Sequence, residues 1–128
     1  MKKNFAAVYN DLLERNIKYV FTTDDLNAGM VKIIPYTHRA AHTAYIGGLA
    51  IHPDLKGRGY GIQLMNEIIH FCRQQGFLRI ELSVAVVNKK AISLYERAGF
   101  QREGLLKKYT YLASENRYMD ELLMALLL

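Results

Sequence analysis

Apolar residues recur along this chain in two rhythms, and each change of rhythm marks an element. Phe5, Val8, Leu12 and Leu13 stand at helical spacing, which predicts a helix over about residues 3 to 15. "IKYVFTT" then reads as a strand, "DDLNAG" as a turn, and "MVKIIPY" as a second strand ended near Pro35. After the polar stretch "YTHRAAHT", the segment Ala44 to Ile51, "AYIGGLAI", reads as a third strand. Gly47 and Gly48 inside it predict a bulge or a close backbone approach. Ile62, Met65, Ile68, Ile69 and Cys72 then form one apolar helical stripe, closed by Gly76. "LRIELSV" alternates, with Ile80, Leu82 and Val84 on one face. "NKKAISLYERAG" reads as a short helix with Asn88 as its N-cap and Gly99 past its end. "FQREGLLKKYTYL" and "RYMDELLMALLL" read as two strands joined by the turn "ASENR"; propensity alone would make the last a helix, but a hairpin with its neighbour makes it a strand.

The centre of the chain is thus strand, glycine-rich loop, helix, strand, helix. Such a βαβ unit crosses over right-handed and leaves its two strands parallel. The loop lies at the carboxyl end of the first strand, where open α/β sheets bind ligands. In "HPDLKGRGYGIQLM", His52 to Met65, three glycines and two basic residues occupy six positions directly before the helix. Glycines leave backbone amides unobstructed, and the first amides of a helix lack partners of their own, so the loop suits an anion. A nucleotide P-loop would need Lys and Ser or Thr after the last glycine, whereas Ile62 and Gln63 follow Gly61. A dinucleotide fingerprint fails as well, because Leu64 or Ile62 stands where its third glycine belongs.

Composition narrows the class. At 128 residues, 51% of them apolar, residues 1–128 read as one folded domain. No apolar run is long enough to span a membrane, and Asn4, Asn10, Asp11 and Glu14 interrupt what would have to be a leader's apolar core. A single cysteine allows no internal disulfide, which fits a reducing cytoplasm. Cys72 falls on the apolar stripe and reads as inert core. The net charge of +5 is compatible with a polyanionic partner. No zinc spacing, RNA-binding aromatic motif or long basic run argues for nucleic acid, and the excess equally suits a phosphorylated small ligand.

"IHPDLKGRGYGIQLM" resembles the coenzyme-A-binding motif of the GNAT (Gcn5-related) N-acetyltransferases, Gln/Arg-x-x-Gly-x-Gly/Ala, here Lys56-Gly57-Arg58-Gly59-Tyr60-Gly61 with Pro53 upstream. "VNKKAISLYERAGFQREG" resembles the family's second signature, and the likeness runs from about residue 17 to residue 128. The resemblance implies an α/β (α+β) fold: a mixed, mostly antiparallel sheet with a central parallel βαβ unit flanked by helices. It also implies acetyl-CoA as co-substrate, no metal, and acetyl transfer to a primary amine of a small molecule or peptide. Amides of Gly57, Arg58, Gly59, Tyr60 and Gly61, with the helix starting near Ile62, would hold the coenzyme pyrophosphate. Lys56 departs from the usual Gln or Arg and loses the planar fork. Backbone groups of Leu49, Ala50 and Ile51 would pair with the pantetheine arm, and an amide near Leu49 or Ala50 would polarise the thioester. Tyr95 would give a proton to the departing thiolate, and Asn88 would lie near the coenzyme.

The base is open: Glu81, Glu103, His42 and Tyr45 are candidates beside a water chain, and Glu81 is carried forward with Tyr95. His52 reads as a turn residue. The family usually opens with a strand and a helix, about 25 to 40 residues, ahead of the helix placed here at 3 to 15. Their absence would remove part of the acceptor wall and bare a sheet edge, which leads to the expectation of a homodimer. The competing reading is a coenzyme-A-binding or interaction module without turnover.

Overall fold

The computed structural model describes residues 6–13, 16–23, 26–51 and 59–128. They form one seven-stranded sheet of order β1-β2-β3-β4-β5-β7-β6, with β1 Ala6–Leu13, β2 Asn16–Thr23, β3 Leu26–Pro35, β4 Thr43–Ile51, β5 Arg79–Ala85, β6 Gln101–Leu112 and β7 Arg117–Leu127. Two α-helices, α1 Tyr60–Gln74 and α2 Lys89–Arg97, follow β4 and β5. Every pairing is antiparallel except β4 with β5, which run parallel. The mixed sheet and its central βαβ unit match the sequence reading, as do the β6–β7 hairpin and the Asn88 cap, whose Oδ1 accepts from the Ala91 amide at 3.2 Å.

The expected helix over residues 3 to 15 is corrected: Ala6–Leu13 is β1, paired antiparallel to β2 from Ala6↔Thr22 to Leu13↔Asn16, while residues 3–5 and 14–15 lie outside the described residues. The register shifts between Ala7 and Tyr9, so one residue is inserted and the alternation changes phase there. That phase change mimics helical spacing. A short isolated helix is marginal, whereas the strand covers the edge of β2, so pairing overrides propensity. The "DDLNAG" turn is also shorter than expected, since β3 begins at Leu26. Helix α1 begins at Tyr60, two residues before the expected start.

The core lies on one face of the sheet. Val31 and Ile33 of β3, Ala44 and Ile46 of β4, Ile80, Leu82 and Val84 of β5, and Met124 of β7 pack against Leu64, Met65, Ile68, Ile69 and Cys72 of α1 and Ile92 of α2. Burial pushes the Cys72 thiol up to about 12, which keeps it protonated and unreactive. Gly29 lets β3 and α1 approach: a Cβ there would come within 2.6 Å of both the Ala50 carbonyl oxygen and Leu64 Cδ2. The opposite face carries Tyr45, Arg79, Glu81 and Ser83, the intervening positions of the same strands, with Tyr36 just past the end of β3. Among the described residues, no helix is long and apolar enough to cross a membrane.

Candidate active site

Strands β4 and β5 pair only over Thr43–Tyr45 and Arg79–Glu81. Beyond that point each keeps its other neighbour: Ile46, Gly47, Ala50 and Ile51 remain on β3, and Leu82 to Ala85 remain on β7. The strands therefore part, and the backbone groups that β4 turns toward the gap have no strand partner among the described residues. Such groups call for hydrogen bonds from an extended ligand. The expected bulge is present, because Met30↔Ala50 and Lys32↔Gly47 set three steps of β4 against two of β3.

The gap holds a cavity of about 450 Å³. Ile46, Gly47 and Leu49 form its β4 wall, Leu82, Ser83, Val84 and Ala85 its β5 wall, and Asn88 and Tyr95 enter from the α2 side. Tyr45, Tyr109, Thr110 and Glu121 complete it. Leu82 and Val84 belong to the helix-covered face and Ser83 to the other, so the cavity takes its lining from both faces of the sheet. The Tyr45 hydroxyl and Ser83 Oγ lie 2.9 Å apart, a hydrogen bond that spans the two strands where their ladder stops.

Tyr95 sits half-buried on α2, its ring centroid 6.0 Å from that of Phe100. Burial, with a smaller contribution from Tyr45, raises its pKa above the ordinary phenol value. The group is accordingly a neutral proton donor at physiological pH. Asn88 caps α2 and lines the cavity at the same time. Leu49 lines the cavity, whereas the Ala50 side chain is exposed and that of Ile51 half-buried.

Gly59 takes φ +76° at the N-cap of α1, a left-handed conformation that suits glycine and starts the helix at a sharp turn. A Cβ on Gly61 would make ordinary contacts at 3.6 Å with Ile51 and Leu94, and Tyr60 packs against the core. Ile62 is half-buried in the first turn of α1. Lys56, Gly57 and Arg58, with His52 and Pro53, lie outside the described residues.

The base candidates separate. Glu81 does not line the cavity; its carboxylate accepts from the Tyr36 hydroxyl at 3.0 Å and from Arg79 Nε at 2.9 Å. Burial first, and the bond to Glu81 second, push the Tyr36 phenol up to about 12. Its ring stacks on Tyr45 at 6.5 Å and 25°. Glu103 is exposed and paired with Arg79, whose hydrogen bond holds its carboxyl below the usual carboxylate range. His42 is exposed in the turn before β4 and stands outside the cavity. Of the four, only Tyr45 reaches it.

Sequence reasoning missed Ser83, Tyr109, Thr110 and Glu121. The signal for Glu121 was present as two adjacent acids, Asp120 and Glu121, in a strand that is otherwise apolar or aromatic after Arg117. Neighbours in a strand point to opposite faces, so the pair could not both face solvent on one side.

Residues 4–100 match the family model for the acetyltransferase (GNAT) family. The chain is 32% identical over 119 residues to a spermidine N(1)-acetyltransferase of Vibrio cholerae, covering 88% of this chain and 65% of that protein. It is 39% identical over 90 residues to an L-amino acid N-acetyltransferase of Escherichia coli, covering 68% of this chain and 52% of that one. The Vibrio cholerae spermidine N-acetyltransferase, solved in complex with CoA and spermine, superimposes with a TM-score of 0.75 at 30% identity, over 89% of this chain and 66% of that chain. The same Vibrio enzyme has been solved as a dodecamer, at TM-score 0.76, 28% identity and the same coverages. The fold, the parted strands and these matches agree: the chain belongs to the GNAT family of acetyltransferases.

Proposed function

We propose that this chain moves an acetyl group from acetyl-CoA directly to a primary amine of a small molecule or peptide. The observation that carries the reading is the cavity between the parted strands, where the unpaired edge of β4 and the protonated phenol of Tyr95 meet. In this reading the backbone of residues 57–61 and the N-terminal end of α1 hold the pyrophosphate, with Lys56 and Arg58 adding charge. The pantetheine arm runs along Leu49, Ala50 and Ile51 as an extra strand, and an amide there donates to the thioester oxygen. The cavity's lining, drawn from both faces of the sheet, supports direct transfer, coenzyme and amine meeting at the gap. A neutral amine attacks the carbonyl carbon, the C–S bond breaks, and Tyr95 gives its proton to the departing sulfur; the proton that the nitrogen sheds as the amide forms leaves through water and restores the phenol. Glu81 is assigned to holding Tyr36 against Tyr45, because Tyr36 and Arg79 already occupy its carboxylate.

Titration calorimetry with acetyl-CoA, followed by thiol release on adding a panel of amines, tests this reading. Heat on titration and amine-dependent thiol release are expected. Binding without release for any amine would mark a coenzyme-binding module instead, and absence of binding would overturn both. A homodimer is part of the proposal. Tyr109, Tyr111 and Tyr118 are large exposed groups on the β6–β7 hairpin, and a solved relative is an oligomer. Light scattering should give a dimer mass, and a monodisperse monomer at high concentration would remove that part.

A further inference from the structure

Glu121 of β7 is the only charged side chain among the described residues that line the cavity. Its carboxylate Oε2 accepts from the Thr110 hydroxyl at 3.0 Å, and among the described residues no lysine, arginine or histidine pairs with it. The strand that supplies Thr110 is shaped for the purpose. Between the pairs Leu106↔Glu121 and Thr110↔Met119, β6 advances four residues while β7 advances two. Lys108 sits within this insertion at φ +49°, an unfavourable conformation for a residue with a Cβ, and its amide donates to Asp120 Oδ1 at 2.8 Å. The Asp120 carbonyl in turn accepts from the Val86 amide at 3.1 Å, which ties the same segment to the turn after β5. The insertion carries Tyr109 and Thr110 onto the cavity wall, and bulges of this kind re-aim side chains beside active sites.

A half-buried carboxylate with no counter-ion among the described residues, in a cavity also lined by Tyr45 and Tyr109, attracts an ammonium group. The same carboxylate repels another, and no described residue of the lining offers a cation to hold one. We infer that Glu121 is the acceptor-recognising residue of this protein and that it selects an amine with no free carboxylate beside it. The inference rests on the acetyl-transfer reading and narrows it to aliphatic amines and peptide-like amines, at the expense of free amino acids. Thr110 is a positioning residue that orients the carboxylate.

L-alaninamide and L-alanine differ at one group, the neutral amide against the carboxylate, and putrescine adds an amine with neither. Calorimetric titration of each into the CoA-loaded protein, with steady-state acetylation alongside, is the test. The wild type should bind and acetylate L-alaninamide or putrescine at least about tenfold better in kcat/KM than L-alanine. The difference between the first two tells whether a peptide-like or a purely aliphatic amine fits. Glu121→Gln keeps the shape and an oxygen for Thr110 but removes the charge. It should raise KM for the preferred amine about tenfold and narrow the gap to L-alanine, with the acetyl-CoA dissociation constant preserved. Thr110→Val should give a smaller rise in KM. Equal use of L-alanine and L-alaninamide, or an unchanged KM in Glu121→Gln, would overturn the inference and leave acetyl transfer standing. Loss of acetyl-CoA binding by the wild type itself would instead take down the reading beneath it.

Discussion

The two faces of the sheet are written by alternate residues of the same strands, and they do different work. On β5, Ile80, Leu82 and Val84 enter the core beneath α1 and α2, whereas Arg79, Glu81 and Ser83 meet tyrosines and carboxylates on the far side. The first face excludes water and holds the strands in place. The second keeps half-buried polar groups in hydrogen bonds, and none of its described buried side-chain polar atoms is left without a partner. Where β4 and β5 part, the cavity takes its lining from both faces, and that is where Tyr95 and Glu121 both reach it. Stability should therefore be concentrated on the helix-covered face and acceptor chemistry on the other.

The strongest way to break this comparison is through the core. Leu64 is 1% exposed at the N-terminal end of α1's buried stripe, so Leu64→Ala should cost about 2–5 kcal/mol in urea unfolding, through lost transfer energy and an unfilled cavity. Ser83→Ala on the far face should cost about 1 kcal/mol, the scale of one hydrogen bond. If the serine variant proved the more damaging, stability would not be divided between the faces in this way. Gly29→Ala comes next, at about 1–3 kcal/mol. Its new methyl would meet a backbone oxygen as well as Leu64, and a backbone group cannot swing aside as a side-chain end can.

Tyr95→Phe tests the meeting point of the faces. It should lower kcat about 100-fold, the usual scale for a positioned acid, while the stability and the acetyl-CoA dissociation constant stay close to wild type. A variant that turned over normally would take the proton donor away from α2. Stopped turnover together with lost coenzyme binding would mean that Tyr95 shapes the site without donating.

The helix-covered face was readable from the sequence because its information is local. A period of two in "LRIELSV", a period near 3.6 in "GIQLMNEIIHFC" and a cap at Asn88 each follow from a few adjacent residues. β1 was misread because an inserted residue near Val8 shifts the strand's phase, and only its partner strand settles the conformation. The acceptor side was hidden for a related reason. Glu121 reaches the cavity through Thr110, a two-residue insertion in β6 and a lysine in the left-handed region, none of which leaves a periodic trace. Glu81, an obvious carboxylate in the sequence, is taken up by Tyr36 and Arg79 from neighbouring positions that only the sheet brings together.

The finest test of the far face is a pH dependence. Tyr36 donates to the Glu81 carboxylate, and its ionisation would place a phenolate beside that charge, in a site that burial already makes unfavourable for any anion. In the unfolded chain the phenol ionises near its ordinary value of about 10. In the folded protein it holds its proton to about 12. Between those limits the folded state binds more protons than the unfolded one, so the stability tied to Tyr36 is intact below pH 10 and is lost as pH rises through 12. Tyr36→Phe removes this loss. The melting temperature of the wild type should therefore fall more steeply than that of Tyr36→Phe between pH 9 and 11.5, and the two should run parallel between pH 7 and 9. Parallel curves across the whole range would mean that the Tyr36–Glu81 bond gives this face no pH-dependent stability, and that Tyr36 is held by its stacking on Tyr45 alone.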